Sequence, residues 1–189
     1  MYQKTDLLEV TKVQALNERI YKVCVWGKIY ARHIFDGFRF REGAIYEDDA
    51  SYYIFVDRAD KIGVLHETLY YYMSENSVMR NEQKDKSMAF LDIYEERMQY
   101  FKDRGNQTLL DGMYDRYCLV LMLKISEILV NGKNKKSLEK LIQLFKQYYP
   151  RVMKASMVKK VDKMMFSCFW VAPKIVGRMI GKMRKDCRR

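Results

Sequence analysis

Beyond residue 81 the apolar residues recur every three or four positions, and that periodicity confines more than half of the chain to packed helices. NEQKDKSMAFLDIYEERMQYFKDRG, 81–105, places Phe90, Tyr94, Arg97/Met98 and Phe101 on one face. It stops at Gly105, a residue that readily closes a helix in the left-handed conformation. Residues 107–131 predict a second helix with Leu110, Met113, Tyr117, Val120, Lys124 and Ile128 along a stripe, which Lys124 either breaks or crosses by snorkelling. SLEKLIQLFKQYY, 137–149, opens on Ser137 and predicts a third helix, and Pro150 marks a boundary. The tail VMKASMVKKVDKMMFSCFWVAP predicts a basic amphipathic helix.

The first eighty residues have another texture. EVTKVQALNERIYKVC, 9–24, carries Val13, Leu16, Ile20 and Val23 at helical spacing, with Thr11 as a cap. VWGKIYA, 25–31, is β-branched and aromatic and predicts a strand. RHIFDGF reads as a helical turn closed by Asp36-Gly37, ASYYIFVDRA as a helix starting at residue 50, and KIGVLHETLYYY as one or two strands. A few short strands are marginal alone in water, so this front reads as part of a larger sheet. The expected class is α+β, predominantly helical. Its segments are 1–80, a helical extension over 81–149, and a basic tail over 150–189.

Composition excludes several classes. Apolar residues make up 49% and charged ones 31%, with two prolines, which describes a chain with a core and not a disordered one. Four scattered cysteines and two histidines form no zinc or disulfide framework, and reduced thiols in a cytoplasmic protein fit best. MYQKTDLLEV lacks the apolar centre of a signal peptide, and no run of ~18 apolar residues is present. The net charge is +11, and from Pro150 to Arg189 twelve Lys or Arg stand against two Asp. The body is close to neutral and the tail is basic.

Within FREGAIYEDDASYY, 40–53, the acidic triplet Glu47-Asp48-Asp49 lies between a glycine turn and an aromatic run. One reading is that it caps the helix that follows, where negative charge is favoured. The segments around it carry a second. Gly27-Lys28-Ile29-Tyr30, then Arg32 to Phe35, Phe40 to Asp48, Leu69 to Met73 and Ser77 to Met79 occur in that order. In order and spacing they resemble the C-terminal half of the catalytic domain of family 2 glycosyltransferases, bacterial enzymes with a GT-A, nucleotide-diphospho-sugar fold. The resemblance covers about residues 10–80. Gly27 stands where the family usually has Asn, and Met73 where it usually has Arg.

The resemblance implies that Asp48 is the general base for the acceptor hydroxyl and Glu47 its neighbour. The chemistry is sound in itself. A sugar hydroxyl is a weak nucleophile that a carboxylate can deprotonate as the new bond forms, and a second carboxylate raises the basicity of the first. Trp26, Lys28, Tyr71 and Ser77 are the expected substrate-binding residues. Of Tyr70-Tyr71-Tyr72, strand alternation would aim at most two at one side, and these read equally well as core. The family's Asp-Asp-Gly-Ser turn and Asp-x-Asp metal motif are not found. Mg²⁺ or Mn²⁺ is therefore expected for the complete family enzyme and not on this chain. The chain is expected to carry only the acceptor and base side, to start within the catalytic domain, and to be inactive alone. A further chain would supply the nucleotide-binding half.

The expected activity is transfer of a sugar from a nucleotide-diphospho-sugar to a glycan or lipid-linked acceptor in surface polysaccharide synthesis. The alternative is a catalytically inactive fragment acting as a membrane-peripheral or protein-interaction module. In the tail, Val158, Val161, Met164/Met165, Cys168/Phe169 and Ala172 form a stripe flanked by Lys154, Lys159, Lys160 and Lys163. That pattern suits an anionic membrane surface, at the inner face of the membrane, or a helix packed on the body. Nucleic acid is the weakest reading, because no nucleic-acid motif supports it.

Overall fold

Thr11 ends the first strand and starts the first helix. Its hydroxyl accepts from the Gln14 N–H at 3.2 Å, and the Gln14 side chain accepts from the Thr11 N–H at 2.8 Å. This reciprocal box satisfies two donors that a helix start would otherwise leave open. It starts helix α1, Lys12–Ala15, directly after β1, Leu7–Val10. The helix expected over 9–24 is thus corrected: 7–10 is strand, and Val23 and Cys24 are not helical. The computed structural model describes residues 7–16, 23–42, 46–65, 70, 88–132, 135–156 and 158–187.

β1 pairs antiparallel with β2, Ile62–Leu65, in a register running from Leu7 opposite Leu65 to Val10 opposite Ile62. Between them lie a 3₁₀ turn, Arg32–Phe35, and helix α2, Asp49–Arg58. Both follow the sequence expectation. The strand expected over 25–31 does not form. Gly27 has φ +68°, a left-handed conformation that breaks an extended run, and 28–31 are irregular. β-branched and aromatic composition reports a partly buried surface more than a strand. Here Tyr30 is spent on an aromatic cluster, edge-on to Phe55 at 5.6 Å, with Phe35, Phe38 and Phe40 around the same ring. Arg58 fastens the 3₁₀ turn to α2 by donating to the Ile34 and Asp36 carbonyls at 2.8 and 2.9 Å.

The remaining α-helices among the described residues are α3, Phe90–Asp103, α4, Gln107–Asn131, α5, Leu138–Lys154, α6, Lys160–Val171, and α7, Pro173–Asp186. The described residues are mostly helical with one two-stranded sheet, a predominantly helical α+β chain. Two compact units divide inside α3, at Arg97/Met98. In the second unit α4 is central, buried from Leu109 through Ile128 on more than one side. Asn106 caps its start, and Gly132 at φ +69° closes its end. Lys124 lies at the edge of the buried stripe and pairs with Glu127 at 3.2 Å.

Two features of the back half depart from the sequence expectation. Helix α5 continues through Pro150, because its buried row of Leu141, Ile142, Phe145, Tyr148 and Val152 spans that residue. The helix expected over 152–173 is instead the end of α5 followed by α6, with α7 beyond it, and both α6 and α7 pack in the second unit. Phe166 and Phe169 of α6 are fully buried, with Phe169 4.8 Å from the Phe145 ring. Trp170 stacks on Tyr149 at 5.5 Å. Helix α7 starts at Pro173, whose missing N–H costs nothing at that position.

Helix α7 lies close on α4 through Gly177 and Gly181. A Cβ at Gly181 would stand 2.6 Å from the Ser126 carbonyl oxygen, and one at Gly177 would stand 2.8 Å from Leu129 Cδ1. A backbone carbonyl cannot yield, whereas a leucine methyl can rotate away. Gly181→Ala is therefore expected to destabilise by a net ~1–2 kcal/mol, overpacking exceeding alanine's helix propensity. Gly177→Ala should fall within ~0.5 kcal/mol of the wild type. Thermal melts of the two variants check this ordering.

Candidate functional site

The three adjacent carboxylates of the triplet have three different environments. Glu47 is exposed. Asp49 is committed to structure: it pairs with the guanidinium of Arg97, a fully buried side chain on α3. Arg97 also donates to the Asp49 carbonyl at 2.7 Å and lies over the rings of Tyr94 and Tyr53 at 4.9 and 5.3 Å. Asp48 occupies the N-cap position of α2, yet its side chain makes no capping hydrogen bond. Its carboxylate instead accepts from the backbone N–H of Val25. The residue before the triplet, Tyr46, has φ +61°, a left-handed conformation that is costly for a residue with a side chain.

The loop 23–30 surrounds Asp48. Lys28 donates its ammonium to the Cys24 carbonyl, lies 3.7 Å from the Cys24 sulfur, and sits 5.1 Å from the centre of the Tyr52 ring. Trp26 stacks on Tyr70, with ring centres 5.0 Å apart and planes 25° from parallel. Gly27 lies against the Tyr70 ring, 3.7 Å from where a Cβ would be. Of the sequence-predicted residues, Trp26, Lys28, Glu47 and Asp48 are thus on the loop and helix start of one unit. Tyr71 and Ser77 lie outside the described residues.

Electrostatics set Asp48 apart. Burial raises its pKa above the usual 3.8, the Glu47 charge adds to this, and Asp49 adds a smaller push. The Val25 N–H and the Lys28 charge oppose the shift without cancelling it. Burial likewise pushes the Tyr52 hydroxyl up to about 12, so it stays protonated at neutral pH. Burial also raises Tyr30, with Tyr52, Cys24 and Asp48 contributing.

The raised Asp48 pKa has a stability consequence whose sign follows from linkage. The folded state holds the proton more tightly than the unfolded state. The stability that Asp48 contributes is therefore fully present below the ordinary carboxylate value and is lost as pH rises through the raised folded value. Asp48→Asn, which cannot ionise, is expected to melt higher than the wild type at neutral pH. The gap should close at about pH 3. Melting curves at the two pH values check the sign.

Sequence reasoning missed Arg97 as the partner of Asp49, and it missed Val25 and Tyr30 as neighbours of Asp48. The one available signal was a cation at position 97 in a row of apolar residues on α3. Among the described residues no group of three or more His, Cys, Asp or Glu is placed to hold a metal ion. The triplet does not form a donor set, because Asp49 is taken by Arg97 while Asp48 accepts from Val25. Comparison of the chain with protein-family models, curated proteins and solved structures finds no match.

Proposed function

We propose that the described residues between 23 and 70 form the acceptor side of a family 2-like glycosyltransferase site, with Asp48 as the general base. The observation that carries the reading is the division of labour within the triplet. Asp49 answers the structural need of a buried arginine, while Asp48 declines the cap its position offers and is left half-buried. A carboxylate held part-desolvated beside a second negative charge is a stronger base than a solvated one, at a net cost to the fold. The left-handed backbone at Tyr46 is a further local cost borne at the same place.

Gly27 supports the resemblance through its backbone. Family 2 enzymes usually have Asn there, and glycine and asparagine are the residues that best accept the left-handed conformation found at this position. The exchange keeps the backbone while altering the side chain. It also leaves Trp26 and Tyr70 in contact, a pair whose aromatic surface suits the C–H face of a pyranose acceptor.

In the proposed step the acceptor hydroxyl passes its proton to Asp48 as its oxygen bonds to the anomeric carbon of the donor. The bond from that carbon to the nucleoside diphosphate breaks, and the diphosphate leaves with the electron pair. Glu47, exposed beside the base, keeps the Asp48 pKa up. No step is assigned to a divalent ion, because the described carboxylates do not converge on one. Donor binding is not assigned to any segment read within residues 1–189. The test is transfer of a labelled sugar by the chain supplied with a family 2 donor-binding segment, comparing wild type with Asp48→Asn.

A further inference from the structure

The inner and outer faces of α7 differ, and the outer face is what requires a partner. The inner face is Gly177 and Gly181, buried on α4. Two residues out of phase, about 200° around the helix, Ile175, Met179 and Met183 form a row at intervals of four. They are 65%, 61% and 67% exposed. Such a row of large apolar side chains turned directly away from the core is not explained by packing within the chain. Beside it runs a second row at the same interval, Lys174, Arg178 and Lys182, with Lys185 three residues further on; all four are exposed, and Lys174 also pairs with Glu139 at 2.6 Å. The one acidic residue of the helix, Asp186, is its last.

We infer that the outward face of α7 docks on an anionic lipid surface, with Ile175, Met179 and Met183 entering the headgroup–acyl boundary and the cationic row lying against the lipid headgroups. Charge complementarity selects this occupant. A second copy of the chain would set one cationic row against another, whereas an acidic bilayer neutralises the row and receives the apolar one. Unbranched methionines adapt to a disordered apolar phase, and lysine and arginine stems reach from an apolar contact up to the headgroups. No described helix is long and apolar enough to cross a membrane, so the attachment is peripheral. Of the stripe expected from sequence over 158–172, Val158 and Phe169 are buried in the bundle while Val161 and Met164 are exposed, and the row on α7 was not part of that expectation. The inference stands independently of the role given to Asp48.

The experiment is cosedimentation of the full chain with phosphatidylcholine vesicles, with and without about 30 mol % phosphatidylserine. The chain should partition onto the acidic vesicles and not onto the neutral ones, and about 0.5 M salt should release much of it. Arg178→Gln/Lys182→Gln/Lys185→Gln should lower partition by about five-fold per charge. Ile175→Ser/Met179→Ser/Met183→Ser should lower it at least about ten-fold and remove what survives at high salt. Lys135→Gln/Lys136→Gln, on the turn before α5, should leave partition unchanged to within about two-fold. The outward positions leave the fold intact, which equal melting temperatures verify. Equal binding to neutral vesicles, no binding to acidic ones, or equal losses per charge from the 135/136 pair would overturn the inference. It also fails if the triple serine variant splits a dimer in light scattering, or releases single-stranded DNA, while vesicle partition is unchanged.

Discussion

Asp49→Ala is expected to cost the fold about 3–5 kcal/mol, the range for breaking a buried ion pair by removing one of its members. The asymmetry of the pair makes this the damaging half. The Asp49 side chain is 19% exposed and can be partly solvated without its partner, whereas Arg97 is 0% exposed and cannot. The Asp49 main-chain oxygen and the faces of Tyr53 and Tyr94 also contact Arg97, and these stabilise a cation without neutralising it. Asp49→Asn should cost less, since an amide oxygen can still accept. Arg97→Met in the Asp49→Ala background should recover most of the loss, because a buried charge is replaced by a side chain that fits an apolar site. Urea midpoints of the two single variants and the double variant give the coupling. A loss under ~1 kcal/mol for Asp49→Ala would mean that Arg97 is otherwise satisfied.

Asp48→Asn is expected to lower turnover in sugar transfer by ~10²–10⁴-fold, the range for losing a positioned general base. The amide has the shape of the carboxylate and can still accept from the Val25 N–H. What it loses is the capacity to take the acceptor proton. The loss should therefore fall on kcat, with donor affinity unchanged. The same variant should melt higher than the wild type at neutral pH, so lost activity cannot be ascribed to unfolding. Asp49→Asn should show the reverse pattern, a stability loss with turnover near that of the wild type once the folded fraction is accounted for. Opposite signatures from adjacent acids would separate a base from a structural anion.

How much of this was legible in the sequence depends on how far each signal reaches along the chain. Helix α4 is found over the residues expected, because 25 residues of periodic apolar pattern leave little choice. The start of α2 at the acidic triplet and the Thr11 cap are also local signals and were readable. Residues 25–31 were misread because strand-like composition is shared by loops that bury aromatics, and nothing local announces that Gly27 is left-handed. The partition of the triplet was not readable. Arg97 lies 48 residues from Asp49, and adjacent positions at a helix start point about 100° apart. Helical spacing in the tail was correct, but spacing does not say which side faces inward. The small residues at 177 and 181 decide that, since only they let α7 approach the α4 backbone.

Single-turnover transfer measured against pH, for wild type and Asp48→Asn, tests the central assignment most directly. The chain is supplied with the donor-binding segment, and the chemical step is observed under saturating donor. With Asp48 as the base, the wild-type rate rises with pH through a limb placed above the usual carboxylate value of 3.8, because burial and Glu47 hold the proton on Asp48. Glu47→Gln should move that limb down, and Asp48→Asn should abolish it along with most of the rate. An Asp48→Asn chain that transfers sugar as fast as the wild type, with the same acid limb, would contradict the assignment and return Asp48 to a structural role at the start of α2.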